Sequence, residues 1–442
     1  MTPELEHDES IRRALGRFAE MPEGIDLFRE ALFAHYPSAA RLRFGESETE
    51  LPFAHEPVPW YSLGFRSTSP EIRPSRTLAY ARGEFFLQDA GSMLALAACD
   101  ADSSTERRLV CDLCAAPGGK ASALLESIGE GFLLANEPIR ARVAPLAYNL
   151  ARTGSDRYVI TSLDPERLAQ QLGGVFDLVL VDAPCSGQAL LGRGKQSLAA
   201  LSMKQIEHSA ARARRILDSA MMLLRPGGRL VLSTCTFADA ENESQIEWLA
   251  ERPGIDASPC ERLAEYASGA PACYRLLPQR HHCAGSFAGA VQMSEDVSTT
   301  SREPAPTRKK SKRGKPPRLP VEIASLFETC PSRLHGTDAV LWGWPDDAPS
   351  WVESVAIGGP ELAYRTGSTW KPSHAAALQR NLAARQTVEL DDVHAMDYLR
   401  GQVVPCETQS GWTVATSGQR PIGWVKCSRG TGKNHLPGHA RW

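Results

Sequence analysis

What the chain lacks already narrows what it can do. No apolar run among its 442 residues approaches the roughly twenty needed to span a bilayer, and the opening Met1-Thr2-Pro3-Glu4-Leu5-Glu6 has no signal-peptide pattern. A membrane protein is not expected; a cytoplasmic one is. A basic excess is also missing. The net charge of −3 excludes a uniformly cationic coat, so any nucleic-acid contact must come from local patches. The eleven cysteines show no disulfide-style spacing, and free thiols are expected. Cys111 and Cys114 form a C-x-x-C, but no second such pair follows at zinc-ribbon spacing. His281-His282-Cys283 could complete a metal site with them; small buried residues, and no metal, are the expectation. Finally, Gly118-Gly119 belongs to neither a G-x-G-x-x-G nor a P-loop, which argues against hydride transfer and nucleoside-triphosphate chemistry.

What remains is a globular composition, 42% hydrophobic and 23% charged, in a chain long enough for two or three domains. One stretch organises it. Leu109 to Asp112 is an apolar run, small residues follow, Gly118-Gly119 make a bend, and Ala121 to Ile128 is helix-compatible. Glycines at such a bend let a ligand approach the main chain closely. Two later apolar runs also end in polar chemistry. Phe176 to Val181 leads into Asp182-Ala183-Pro184-Cys185-Ser186-Gly187, and Pro226 to Leu232 leads into Ser233-Thr234-Cys235-Thr236. In open α/β sheets, ligands sit beyond the carboxyl ends of the strands, so these ends could share one site.

The stretches "DLCAAPGGK", "DAPCSG" and "STCT", with "ENE" soon after, resemble the signature set of the Sun/Nop-type RNA cytosine-5 methyltransferases. The resemblance covers roughly residues 70 to 290. It implies an α/β fold with a class I, Rossmann-like methyltransferase core, a small amino-terminal α+β domain and a carboxyl-terminal PUA-like β-rich domain. The expected boundaries are 1–75, 76–292, a basic linker at 293–320, and 321–442. S-adenosylmethionine is the implied cofactor, held by Cys114, Ala115, Ala116, Pro117, Gly118, Gly119, Lys120, Glu137, Asp164 and Asp182. The implied catalytic set is Cys235 as nucleophile, Cys185 assisting release, Asp182 at the ring nitrogen, and Lys120 orienting Asp182 or Cys235. The chemistry explains two cysteines. Carbon 5 of cytosine is a poor nucleophile until a thiolate adds to carbon 6, and the adduct must later be resolved. The base must leave its stack, so the target is single-stranded or flipped.

Around this core, residues 8–36 read as two helices, and Ala40–Phe44 and Trp60–Phe65 as short strands. The family's Arg-x-Asn element appears only as Leu42-Arg43-Phe44-Gly45, so that domain either contacts RNA or only packs. Gly83–Met93 leads into an amphipathic helix through Cys99, with Asp89 a cap or a site residue. Gln188–Lys195 departs from the family wording, and Arg193 or Lys195 could hold a phosphate there. Met203–Leu224 is a long helix with Arg212, Arg214 and Arg215 on its solvent face, and Asp239 is a plausible cap for the helix that follows. Arg308, Lys309, Lys310, Lys312, Arg313, Lys315 and Arg318 form a basic run without acids. Beyond it, Leu341–Trp344, Val352–Ile357 and Trp412–Ala415 read as strands and Asp391–Arg400 as a helix. Trp424, Lys426, Arg429 and Lys433 are candidates for RNA contact, with Trp424 alternatively a core residue. The expected partner is ribosomal RNA, with transfer RNA the alternative, and the protein is expected to act as a monomer. The rivals are a non-catalytic RNA-binding assembly factor with a methylase fold and a DNA methylase, which would leave Cys235 unexplained.

Overall fold

The computed structural model describes residues 3–20, 23–46, 51–103, 106–296 and 317–442. It opens with two helices, Pro3–Leu15 (α1) and Ile25–Phe33 (α2), the second burying Ile25, Phe28 and Leu32 at helical spacing. Ala39–Leu42 (β1), His55–Pro57 (β2), Gly64–Ser67 (β3) and Phe85–Leu87 (β4) form an antiparallel sheet in the order β2-β3-β1-β4. Trp60 to Ser62, expected as strand, instead make the turn before β3. The Trp60 indole is tucked inward and donates to the carbonyl of Ala90 (2.8 Å). A short helix, Leu78–Ala81 (α3), precedes β4, and Met93–Ala98 (α4) follows it. All six residues of α4 are buried, so it is a core helix and not the amphipathic one expected.

The catalytic sheet comes next. Its elements are Leu109–Asp112 (β5), Gly119–Ser127 (α5), Phe132–Asn136 (β6), Val143–Ala151 (α6), Tyr158–Thr161 (β7), Pro165–Leu172 (α7) and Phe176–Asp182 (β8). Met203–Leu223 (α8), Leu224–Thr234 (β9), Glu243–Ala250 (α9), Ile255–Ala257 (β10), Cys273–Leu276 (β11) and Ser286–Met293 (β12) complete it. The order is β10-β12-β9-β8-β5-β6-β7, with β11 also paired to β12. Strands β5 to β9 are parallel and β12 runs antiparallel to β9. Helices cover both faces, which is why these strands are apolar almost throughout.

Buried arginines fasten the amino-terminal sheet to this core. Arg41, 1% exposed, bonds to Glu126 (2.6 Å) and Ser122 (3.1 Å) of α5 and to Gln88 (3.1 Å). Arg43, 5% exposed, donates to the carbonyl of Arg152 (2.6 Å) and faces Glu126. Its guanidinium is committed to the interior, which answers for Arg43 the choice between RNA contact and packing: it packs.

The carboxyl-terminal part holds two small sheets. Arg333–Gly336 (β13), Val340–Trp344 (β14), Glu361–Thr366 (β15) and Thr369–Pro372 (β16) form an antiparallel meander. Thr387–Glu389 (β17), Val404–Pro405 (β18), Gly411–Ser417 (β19), Arg420–Ser428 (β20) and Thr431–Asn434 (β21) form the second, in the order β17-β19-β20-β21-β18. The expected strand at Val352–Ile357 is a helical turn, Val352–Val355, because Val352 and Val355, three apart, bury together against the core around Trp344 and Trp351. Cys406 and Cys427 are joined as a disulfide, against the expectation of free thiols. Two features tie this part to the catalytic sheet. Ile160 of β7 exchanges backbone hydrogen bonds with Ile357 and Gly358 (2.9 Å each). The buried Trp344 indole donates to the carbonyl of Tyr158 (2.8 Å). Of the basic run, Arg308 to Lys315 lie outside the described residues.

Candidate active site

The three motif stretches meet at the carboxyl ends of β5, β8 and β9, adjacent strands of one sheet. Register sets this directly: Asp112 pairs with Leu180, and Asp182 with Ser233. The bend after β5 is built around Gly118, which has φ +109° and where an added Cβ would sit 3.0 Å from Asn149. The amide of Ala115 donates to the carbonyl of Asn136 (2.8 Å), and Arg142 and Asn149 hold the carbonyls of Ala116 and Pro117 (2.7 and 2.8 Å). The turn from Cys114 to Gly119 is therefore a fixed cradle of main chain.

Lys120, in the first turn of α5, reaches Asp182 at 2.9 Å. Burial opposes its charge, but Asp182 and the nearby Cys235 hold its pKa above the ordinary lysine value. Cys185 and Cys235 lie with their sulfurs 3.3 Å apart. The bond to Cys235 and burial push the Cys185 thiol well above the usual range, so Cys185 keeps its proton and can donate it to its neighbour. Cys114 is raised by burial and by Asp112, and is an unreactive wall of the cleft.

Beside this centre a cavity of about 440 Å³ is bounded by Cys114, Glu137, Asp164 and Pro184 on the sheet side and by Arg212 and Arg215 of α8 on the other. Glu137, 2% exposed, accepts from the amide of Ile139 (2.8 Å), while its second oxygen faces Arg142 at 3.3 Å without hydrogen-bond geometry. Asp164 caps α7 through the amide of Glu166 (3.0 Å) and still borders the cavity.

Asp112 is a residue that the motif reading missed. It is 1% exposed, and neither carboxylate oxygen makes a well-formed hydrogen bond. Burial, and then Asp182, push it up to about 8, with Lys120 and the amide of Cys114 acting against them. These observations fit S-adenosylmethionine. An acid with a spare oxygen suits a ribose diol, the cradle admits close main-chain contact, and the uncompensated Asp112 suits a cationic group. Arg212 and Arg215, expected on a solvated face, border the cavity as well; only Arg214 stands apart, over the Trp248 ring at 5.1 Å.

Other expected residues fall elsewhere. Arg193 ion-pairs with Asp89, so its guanidinium is occupied, while Lys195 is exposed. The departing loop itself is seated: Gln188 bonds to the amide of Phe237 and the carbonyl of Ala200 (3.0 and 3.2 Å), and Ala189 and Leu191 pack against α1 and α2. Asp239 does not cap α9; it pairs with Arg17 at 2.8 Å. Trp424 is 2% exposed with its indole bonded to the carbonyl of Ser373 (2.7 Å), a core residue rather than an RNA contact.

Comparison with known proteins agrees with this architecture. Residues 101–292 match the family described as 16S rRNA methyltransferase RsmB/F, and residues 385–442 match the methyltransferase RsmF PUA domain. The chain is 30% identical over 409 residues to ribosomal RNA small subunit methyltransferase F of Escherichia fergusonii, covering 86% of this chain and 84% of that one. To the protein of the same name from Erwinia tasmaniensis it is 29% identical over 412 residues, covering 87% and 84%. Among solved structures, a methyltransferase homolog from Pyrococcus horikoshii superposes with TM-score 0.56 at 25% identity, over 66% of this chain and all (100%) of that one. The chain belongs to the family of ribosomal RNA small subunit methyltransferase F, S-adenosylmethionine-dependent methyltransferases with a Rossmann-like core and a carboxyl-terminal PUA domain.

Proposed function

We propose that this chain methylates carbon 5 of a cytosine in small-subunit ribosomal RNA through a covalent Cys235 adduct. The observation that carries the reading is the pair of thiols 3.3 Å apart beside the Lys120–Asp182 ion pair. Bound S-adenosylmethionine supplies an electrophilic methyl group. Cys235 Sγ adds to carbon 6 of the flipped base as its thiol proton passes, by way of Asp182 held by Lys120, to ring nitrogen 3; when carbon 5 takes the methyl group Asp182 recovers that proton, which is the one the overall reaction releases. Once carbon 5 is methylated, its proton must leave as the bond from carbon 6 to sulfur breaks. Cys185 gives its proton to the departing Cys235 sulfur and takes the one from carbon 5, so both thiols end as they began. The relatives' names point to ribosomal RNA. The test is transfer of labelled methyl to purified small-subunit RNA with nucleoside analysis. Label in 5-methylcytosine supports the reading; label in another nucleoside, or only in transfer RNA, opposes it.

Two further results are expected. Asp112 is largely protonated at neutral pH in the free protein, and a nearby cation favours its ionised form. Cofactor binding should therefore release a proton, and affinity measured by calorimetry should rise with pH toward about 8 and level off above it. Asp112→Asn should flatten that profile; a flat wild-type profile contradicts the assignment. The second concerns RNA docking. Trp412 lies on the β19–β21 face with Lys426 5.8 Å from its ring and His435 packed on it at 4.4 Å. Burial lowers the His435 pKa, and the positive charges of Lys433, Lys371 and Lys426 lower it further. Lys426→Ala with Lys433→Ala should weaken RNA binding and reduce its salt slope by about 0.7 per lysine. An unchanged slope places the RNA elsewhere.

A further inference from the structure

Glu241 is a buried acid that the reaction as drawn does not use. It is 1% exposed, and three donors converge on it. Its Oε2 accepts from the amide of Ser186 (2.8 Å), and its Oε1 from the hydroxyls of Ser186 (2.6 Å) and Thr236 (3.4 Å). Those two hydroxyls also touch each other at 2.7 Å. Ser186 directly follows Cys185, and Thr236 directly follows Cys235. One carboxylate therefore grips the residues next to both thiols, across two loops that leave different strands. Its neighbour tightens one side: Asn242 accepts from the Thr234 hydroxyl (2.6 Å) and donates to the Thr236 carbonyl (2.9 Å). The following residue, Glu243, is fully buried and ion-paired to Arg275, which anchors the segment from behind.

We propose that Glu241 is a positioning residue that fixes the spacing of Cys185 and Cys235, so that the second thiol can resolve an adduct formed by the first. This rests on the cytosine-5 reading above. Attack needs only Cys235 in place, whereas release needs both sulfurs at one separation. Loss of the clasp should thus slow release more than attack. A carboxylate suits the task because all three partners donate to it; an amide would turn one donor against them. Burial raises the Glu241 pKa to about 7, with the bonds from Ser186 and Thr236 acting against it, so the clasp also loosens as it protonates.

The test compares wild type, Glu241→Gln and Cys185→Ala on small-subunit RNA, measuring both multiple turnover and the protein–RNA complex that survives denaturing electrophoresis. Glu241→Gln is expected to lose turnover on the order of a hundredfold, as a misplacement of reacting groups by about 1 Å can cause. It should retain cofactor affinity and accumulate covalent complex, as Cys185→Ala does. Equal losses of turnover and of complex, or turnover within about twofold of wild type, overturn the proposal. Should Glu241→Gln fail to fold, Ser186→Ala and Thr236→Val each remove one arm and are expected to shift the same ratio. A separate readout does not depend on methyl transfer. A trivalent arsenical that bridges two thiols should bind wild type, lose this binding in Cys185→Ala, and bind Glu241→Gln at least about tenfold more weakly, since a bridged dithiol tolerates little change in spacing. If Cys185→Ala traps no RNA while the arsenical still discriminates Glu241→Gln, the clasp stands and the cytosine-5 chemistry fails. Undiminished arsenical binding by Glu241→Gln removes the clasp.

Discussion

Cys235→Ala is expected to abolish methyl transfer, on the order of a thousandfold or more, and to form no covalent complex with RNA; Cys185→Ala is expected to stop turnover as well but to leave RNA attached. The asymmetry follows from what each sulfur has to do. Carbon 5 becomes reactive only after addition at carbon 6, so without the Cys235 sulfur there is no activated ring to accept a methyl group. Its bond to Cys235 and its burial raise the Cys185 thiol well above the usual range, and in the proposed reaction its task comes after the transfer. With alanine there, addition and methylation should proceed and elimination should not. Both variants should bind cofactor as wild type does, because Glu137 and Asp164, which border the cavity, follow β6 and β7, across β5 from the strands that carry the thiols. Gel mobility of labelled RNA under denaturing conditions, alongside a transfer assay, separates the two. Trapped RNA with Cys235→Ala, and none with Cys185→Ala, would reverse the assignment.

The second large effect concerns stability. Trp344→Ala is expected to cost about 3–5 kcal/mol, the range for removing a buried tryptophan. The indole is fully buried (0% exposed) among residues of the catalytic sheet and the carboxyl-terminal part, and its nitrogen satisfies the carbonyl of Tyr158 at 2.8 Å. Truncation opens a cavity and orphans that carbonyl, the acceptor of an edge strand. The Ile160 bridge to Gly358 lies along the same seam, so residues 331–442 should also become cleavable by protease at temperatures where wild type resists. Thermal unfolding and limited proteolysis check both. A midpoint within a degree or so of wild type would show that this seam carries little of the stability.

The difference between what the motifs reveal and what they hide follows the range of the contacts. The glycine bend, Lys120, Asp182 and the two cysteines are legible because each is local: a strand end plus a turn, in a sheet whose rule for ligand placement is general. The same rule reaches Glu137 and Asp164. Asp112 reads only as the end of a strand, because its uncompensated burial exists only once β8 brings Asp182 alongside. Glu241 reads as a first-turn acid; its partners are 55 and 5 residues away. Arg212 and Arg215 are exposed, as the charged face of their helix predicts, but helical periodicity cannot show that this face also borders a cavity. Trp424 and Trp412 share one face of their sheet, in register with Val414 and Lys426 across the strands, with their rings edge to face at 6.2 Å; Trp424 is buried, while Trp412, half-buried beside it, carries the Lys426 ammonium. The reading of Val352–Ile357 as a strand fails for a simpler reason, since valines spaced around Glu353 and Ser354 fit strand and helical turn alike until their neighbours are known.

The most direct measurement uses small-subunit RNA in which 5-fluorocytidine replaces cytidine, so that carbon 5 carries no proton to lose. Incubation with S-adenosylmethionine, digestion and mass spectrometry then identify the cysteine bound to the base. The account predicts a stable methylated adduct on the peptide containing Cys235, with Cys185 unmodified. An adduct on Cys185, or methylated RNA with neither cysteine attached, would contradict it.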